Sequence, residues 1–268
     1  MKEAFYGNFT QTLIDSDLDM HLERIRVQGF TVIENVLSEE MLEKYRYIID
    51  AVYQIQLKEY GAESLDAIKE KDLCRFCLKY DPEFLNIATN KIVIKLVEAI
   101  LGSYYILNLQ NAIINRPNIP HHQQSWHRDL AYLNGITSEP LAINALFAID
   151  DFSQQTGGTV VLPYSHKQGA LPSDAFIESS KITAEIKAGG VVVFDSMLFH
   201  RAGNNTSDCV RRAVNHVYTK PLLKQQYDIA GVVGARYLGD PYLRMFLGVD
   251  SAVPQDDIAW RKNREYRK

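Results

Sequence analysis

Residues 125–135 read "SWHRDLAYLNG" and place a histidine and an aspartate two positions apart, His127 and Asp129. On an extended segment two such side chains point to the same face. An imidazole beside a carboxylate forms one edge of a metal site. A second histidine from elsewhere would complete a two-histidine, one-carboxylate face, the arrangement that suits non-haem Fe(II) and leaves coordination positions open. His166, His200 and His216 are the candidates. His200 has the best setting, at the end of "AGGVVVFDSMLFH", which reads as a glycine turn, a buried strand and a short exit. Eleven residues later Arg211 opens "RRAVNHVYT". An arginine on that next strand, facing the same cavity, can take a carboxylate through two parallel hydrogen bonds. Such a site suits a ligand with a chelating end and a distant carboxylate, and 2-oxoglutarate is one.

These groups need elements to position them. "GFTVIENV" (29–36) is short, apolar and β-branched, which predicts a strand. Ser38 can cap the helix that follows in "SEEMLEKYRYIIDAVYQIQ", with Glu39 and Glu40 in its first turn. Leu42, Tyr45, Ile49 and Val52 recur at steps of three and four and form its buried stripe. A second helix is expected over 90–101, ended by Gly102. Past Gly102 the pattern changes. "YYILNLQNAII", "LAINALFAI", "GTVVLP", "ITAEIK", "VVVF" and "RAVNHVYT" have the length and composition of strands. "RPNIP", "TSEP", "SQQTGG", "AGG" and "GNNTSD" between them are turn chemistry. Helices followed by a run of strands predict an α+β protein built on a β-sandwich or jelly roll. Beyond about residue 220 the chain reads as irregular and helical, with the basic "WRKNREYRK" as a solvated end.

Composition excludes several classes. A net charge of −4 gives no argument for a nucleic-acid partner. No apolar run approaches the roughly 18–20 residues that span a bilayer. The N-terminal stretch has no continuous apolar segment of the secretory kind, and three cysteines cannot all pair within one chain. A cytoplasmic protein is expected. Cys74 and Cys77 form a lone "CRFC", read as small residues of a helix rather than as a redox or zinc motif. No repeat and no long Pro/Gly/Ser linker divides the 268 residues. One domain is expected, helical over 1–102, with a jelly-roll core over 103–220 and a C-terminal segment over 221–268.

The stretches "GFTVIENVLSEEML", "WHRDLAYLNG", "FAIDDFSQQTGGTVVLPYSHKQG", "AGGVVVFDSMLFHRAGNNTSDCVRRAVNHVYTK" and "LGVDSAVP" resemble, in order and spacing, the phytanoyl-CoA dioxygenase family of Fe(II)/2-oxoglutarate oxygenases. The resemblance covers most of the chain from about residue 29. It implies a double-stranded β-helix (the cupin-like jelly roll) with helices packed outside. It also implies Fe(II) held by His127, Asp129 and His200, with 2-oxoglutarate and O2 as cosubstrates and Arg211 on the far carboxylate. Arg212 then belongs to the opposite face by strand alternation. Gln110 resembles a position that lines the cosubstrate or substrate in some relatives. Halogenating relatives replace the carboxylate ligand with a small residue; Asp129 is retained, so hydroxylation is the default reaction, with desaturation, epoxidation or ring closure open to the same site. The loops after residues 60 and 130 and the segment from about 222 are neither strongly basic nor uniformly apolar, so a small-molecule metabolite or natural-product intermediate is the expected substrate. Two departures stand out. Many relatives read His-Gly-Ser after the distal histidine, where the hydroxyl helps to hold the cosubstrate, but here the residues are His200-Arg201-Ala202. Many carry a tryptophan where this chain has Leu146.

The remaining polar residues have ordinary readings. His166 is expected to be structural, His216 to alternate away from Arg211, and His121 and His122 to be exposed loop residues. Asp150 and Asp151 suit turn or cap duty. Tyr132 and Asn144 could line the pocket. A zinc hydrolase using the same three ligands and a non-catalytic jelly-roll binding protein are the rival functions. The hydrolase would have no need for Arg211, and the binding protein would need no metal.

Overall fold

The computed structural model describes residues 12–130 and 135–265. The elements run α1 Asp17–Gln28, β1 Phe30–Ile33, α2 Glu39–Tyr60, α3 Ala62–Ala67, β2 Leu73–Arg75, α4 Glu83–Ala88, α5 Lys91–Leu101, β3 Ile106–Asn115, β4 Ala142–Ala148, β5 Val160–Val161, α6 Asp174–Ser180, β6 Ile182–Thr183, β7 Val191–Asp195, β8 His200–Arg201, β9 Arg211–Thr219, α7 Ile229–Val233, α8 Pro241–Phe246 and α9 Asp257–Glu265.

Two antiparallel sheets form the jelly roll. The larger has the strand order β1-β7-β4-β9-β3-β2 and the smaller β6-β5-β8. An isolated bridge between His127 and His200 adds the metal-loop segment to the edge of the smaller sheet. Every residue of β3, β4 and β7 is buried, so the larger sheet is covered on both faces. Alternation divides each strand between two environments. Ala112, Ile114, Ala145, Phe147, Val193 and Val214 pack against the helical layer. Ile113, Leu146, Ala148, Val192, Phe194 and Ala213 pack on the inner side, with Val161 and Phe152. The chemistry sits on that inner side.

The helical layer follows from local signals. The Ser38 hydroxyl accepts from the Met41 N–H at the start of α2, and Asn90 caps α5 through the N–H groups of Ile92 and Val93. In α5, Val93, Leu96, Val97 and Leu101 form the buried stripe, each worth roughly 1.5–3 kcal/mol relative to exposure. α1 ends at Gly29, whose φ of +92° admits the left-handed cap; a Cβ there would meet the His166 ring at 2.7 Å. α2 is tied to the sheet by charge. Arg212 pairs with Asp50 at 2.8 Å and with Asp150 at 3.0 Å, and Arg46 also reaches Asp150 at 2.9 Å.

Three expectations change. Cys74 lies in β2 and Cys77 opens a short 3₁₀ turn, so "CRFC" is strand and turn rather than helix; both thiols are free and buried. Asp150 is an ion-pair centre rather than a turn cap, whereas Asp151 does serve a turn, accepting from the Ala188 N–H at 2.8 Å. The C-terminal region is helical as expected, in α7, α8 and α9, but part of it joins the core. Phe246 and Leu247 are fully buried, and only α9 buries no residue.

Candidate active site

His127, Asp129 and His200 meet at one point on the inner side. Their ligand atoms all lie within 4.8 Å of one another, and the Asp129 carboxylate is 3.8 Å from Nε2 of each histidine. The backbone brings the two segments together. The His127 N–H donates to the His200 carbonyl at 3.0 Å, the His200 N–H returns the bond at 3.1 Å, and the Asp129 N–H donates to the Ser196 carbonyl at 3.1 Å.

Each donor atom is oriented by a neighbour. Nδ1 of His127 lies 2.8 Å from the Ser125 carbonyl, and Nδ1 of His200 lies 3.0 Å from that of Leu198. A carbonyl can only accept, so Nδ1 carries the proton and Nε2 presents its lone pair to the centre. Burial, and then the nearby His127, push His200 down to about 4, against the pull of Asp129. His200 is therefore neutral and ready to ligate at physiological pH. The second oxygen of Asp129 accepts from the Asn144 amide, whose own oxygen accepts from the Ser196 hydroxyl. That chain leaves one carboxylate oxygen facing the histidines. Such outer partners fix the ligand geometry of metal sites. Two imidazole nitrogens and one carboxylate oxygen form a donor set that fits Fe(II).

Arg211 stands deeper on the same face. It is 2% exposed, lies over the Phe152 ring at 4.8 Å, and donates from Nη2 to the Gly157 carbonyl at 2.6 Å. Its Nε has no partner, and no carboxylate lies within ion-pair distance of it among the described residues. Burial lowers it to about 10. A buried guanidinium with an idle donor calls for an anion. It lines a small cavity together with His127, Asp129, His200, Ile113, Leu146, Phe194, Thr159 and Asn215. A keto-diacid, with one end toward the triad and the other toward Arg211, fits that placement.

Thr159 was not legible in the sequence. Val160 pairs with Arg201 and Val161 with His200, so the next pair along is Thr159 and Ala202. The Thr159 side chain, which carries a hydroxyl, therefore lines the cavity across from the alanine that lacks one. It is 4% exposed and bonded to no other side chain among the described residues. Only the pairing register reveals it.

Gln110 is a correction. Its amide takes the Leu78 N–H at 2.8 Å and approaches the Phe84 carbonyl at 2.8 Å and His216 Nε2 at 2.9 Å. All three lie on the helical side of the sheet, so Gln110 does not reach the metal face. Its neighbour Asn111 is on the inner side, beside Tyr227 and Arg75. Strand alternation decides the pair, since Ile113 lines the cavity and Asn111 shares its face. His216 is fully buried on the helical side, and His166 is a buried residue with Nε2 at the Arg26 carbonyl. His121 departs from its exposed reading, because it is 7% exposed and pushed down to about 3 by burial. Its ring packs 4.6 Å from that of His122, which is half-buried. Arg212 faces away from the cavity, as alternation requires, in its ion pairs with Asp50 and Asp150. Tyr132 lies outside the described residues.

Comparison with known proteins agrees with this geometry. The family model described as Phytanoyl-CoA dioxygenase (PhyH) matches residues 25–213. An uncharacterized protein of Mycobacterium tuberculosis is 34% identical over 230 residues, covering 82% of each chain. A protein named as a dioxygenase, from Aspergillus hancockii, is 29% identical and covers 92% of this chain and 83% of its own. Among solved structures, the apo form of the non-heme monooxygenase ThoJ superposes with a TM-score of 0.62 at 20% identity, covering 79% of this chain and 80% of that one, and so shares the fold. With the family model matching well over half of its length, this chain belongs to the phytanoyl-CoA dioxygenase family.

Proposed function

We propose that the protein is an Fe(II)- and 2-oxoglutarate-dependent dioxygenase that hydroxylates a small molecule and releases succinate and CO2. The observation that carries this is one cavity holding both the His127–Asp129–His200 cluster and an unpaired, buried Arg211. When bound, the ion and the keto acid together supply an O2-derived oxidant, at the cost of converting 2-oxoglutarate to succinate and CO2.

The chain's own residues perform four tasks. His127, Asp129 and His200 hold the ion on one side and leave the other for ligands. Arg211 grips the far carboxylate of 2-oxoglutarate, and the Thr159 hydroxyl supplies the bond that Ala202 cannot. Asn144 and Ser196 hold Asp129 to one free oxygen. Ile113, Leu146 and Phe194 wall the cavity with carbon and exclude water, which strengthens each electrostatic contact inside. Substrate is placed on the side away from Arg211, where Leu109 and Val217 pack with Leu130 and Tyr227. Orientation of the bound molecule toward the ion is the protein's contribution to rate.

In this reading residues 1–268 act as one oxygenase domain, working in the cytoplasm on a small metabolite or natural-product intermediate. No helix among the described residues is long and apolar enough to cross a membrane. A zinc hydrolase would leave Arg211 without a purpose, and a binding module would leave the triad without one. The test is succinate formation with Fe(II), O2 and 2-oxoglutarate. The proposal expects it in the wild type and expects its loss in His127→Ala; zinc-supported turnover without O2 would overturn it.

A further inference from the structure

Arg128 lies between the two proximal ligands yet turns away from them. On the extended 127–129 segment the outer residues face the cavity and the middle one faces the opposite side. There its guanidinium donates to four backbone carbonyls: from Nε to Met197 at 2.8 Å, from Nη1 to Gly169 at 3.2 Å, and from Nη2 to Ser165 at 3.0 Å and to Gln168. Its carbon sits 3.8 Å from the centroid of the Phe199 ring, and the residue is 9% exposed. No carboxylate lies within ion-pair distance of it among the described residues. A cation buried against neutral carbonyls, with only the longer-range pull of the Asp195 carboxylate to offset it, is an expensive arrangement.

Its partners explain the arrangement. Met197 and Phe199 belong to the run that delivers His200, and the Phe199 N–H is itself held by the Ser165 hydroxyl at 2.9 Å. Arg128 thus ties the proximal-ligand segment to the distal-ligand segment and to the 165–169 turn behind both. The backbone bonds from His127 to His200 and from Asp129 to Ser196 fix where the 127–129 segment lies. A side chain pinned on the opposite face fixes its rotation. Rolling the segment by a few degrees would swing the His127 imidazole and the Asp129 carboxylate off their common point together.

We propose that Arg128 is a positioning residue that sets the angle at which His127 and Asp129 meet His200, and so the affinity of the site for its metal. This rests on the metal-site reading above. A lysine keeps the charge but cannot span four carbonyls on either side of a planar group or stack flat on Phe199.

The test is calorimetric titration of Mn(II) into the full chain without iron, for wild type, Arg128→Lys and Arg128→Met, with the melting temperature of each. Arg212→Met is the comparator, since it breaks partly exposed ion pairs on the opposite face of the sheet from the cavity and lowers stability by another route. Loss of an outer partner of a metal site typically weakens binding by about 10–100-fold, and that fall is expected in both Arg128 variants, with Arg212→Met unchanged. Phe199→Leu removes only the ring beneath the guanidinium and is expected to weaken binding several-fold, so it decides the matter if the Arg128 variants do not fold. Wild-type affinity in Arg128→Lys, or in Phe199→Leu where that variant decides, would overturn the proposal, even with a lowered melting temperature. Failure of the metal reading looks different: wild type itself would bind no Mn(II), or His127→Ala would bind it equally well.

Discussion

Replacing Arg211 by methionine should have opposite effects on stability and on ligand binding. Burial lowers this guanidinium well below its usual range, to about 10. At 1.36 kcal/mol per unit, the folded protein pays roughly 3 kcal/mol to keep the charge without its anion. The sign is simple: at pH 7 the group is protonated in both folded and unfolded chains, so the penalty falls on the folded state alone. Methionine removes that penalty and fills much of the volume. It forfeits the bond to the Gly157 carbonyl and the contact with Phe152, together about 1–2 kcal/mol. Arg211→Met without ligand should therefore be at least as stable as wild type, or about 1–2 kcal/mol more so. Its grip on 2-oxoglutarate should weaken by about 3–5 kcal/mol, as when one partner of a buried charge pair is lost, which is roughly 10²–10⁴-fold in affinity. The assay is urea denaturation with and without 2-oxoglutarate. Wild type should gain stability with ligand concentration and the variant should not. An unliganded variant destabilised by more than 2 kcal/mol, or still stabilised by the keto acid, would refute the reasoning.

The other predictions concern the supports. Thr159→Val should raise KM for 2-oxoglutarate about 10-fold or more, the range for a lost bond to a charged group, and Ala202→Ser in that background should recover part of it in steady-state kinetics. Asn144→Ala frees the second oxygen of Asp129 and should weaken Mn(II) binding about 10–100-fold by calorimetry. Acid should destabilise the fold in a set window. Burial pushes His216 and His121 down to about 3 from 6.5, so both stay neutral in the folded chain while the unfolded chain takes up protons. Their contribution is flat above pH 6.5 and is lost as pH falls from 6.5 towards 3, at up to about 1.4 kcal/mol per unit for each. Urea midpoints between pH 7 and pH 4 should show the loss, and His216→Asn should make it shallower.

What the sequence showed and what it hid have physical causes. The triad was legible because two of its members share one extended segment, and the third follows by a short exit a strand whose glycine turn and apolar run mark it. Arg211 was legible because alternation separates it from Arg212 once a strand is assumed. Gln110 came from the resemblance, without a register to check it: which face of β3 is inner depends on pairing with β9, and one residue decides it. Thr159 stayed hidden because its meaning comes from Ala202, 43 positions away and paired only through β5 and β8. The burial of His121 and the bonding of Arg128 depend on loops packing from elsewhere, which periodicity does not report. Helices with a cap and a stripe, such as α2 and α5, were plain. The six-residue helices α3 and α4 have too few turns to show a period.

Anaerobic titration of 2-oxoglutarate into the Fe(II)-loaded protein goes most directly to the central claim, because a keto acid chelated to ferrous ion absorbs visible light through charge transfer. The account predicts a band that grows to saturation at one equivalent, is absent in Asp129→Ala, and needs far higher ligand concentration in Arg211→Met. A wild type that shows no band, or one in Arg211→Met that saturates at the wild-type concentration, would contradict it.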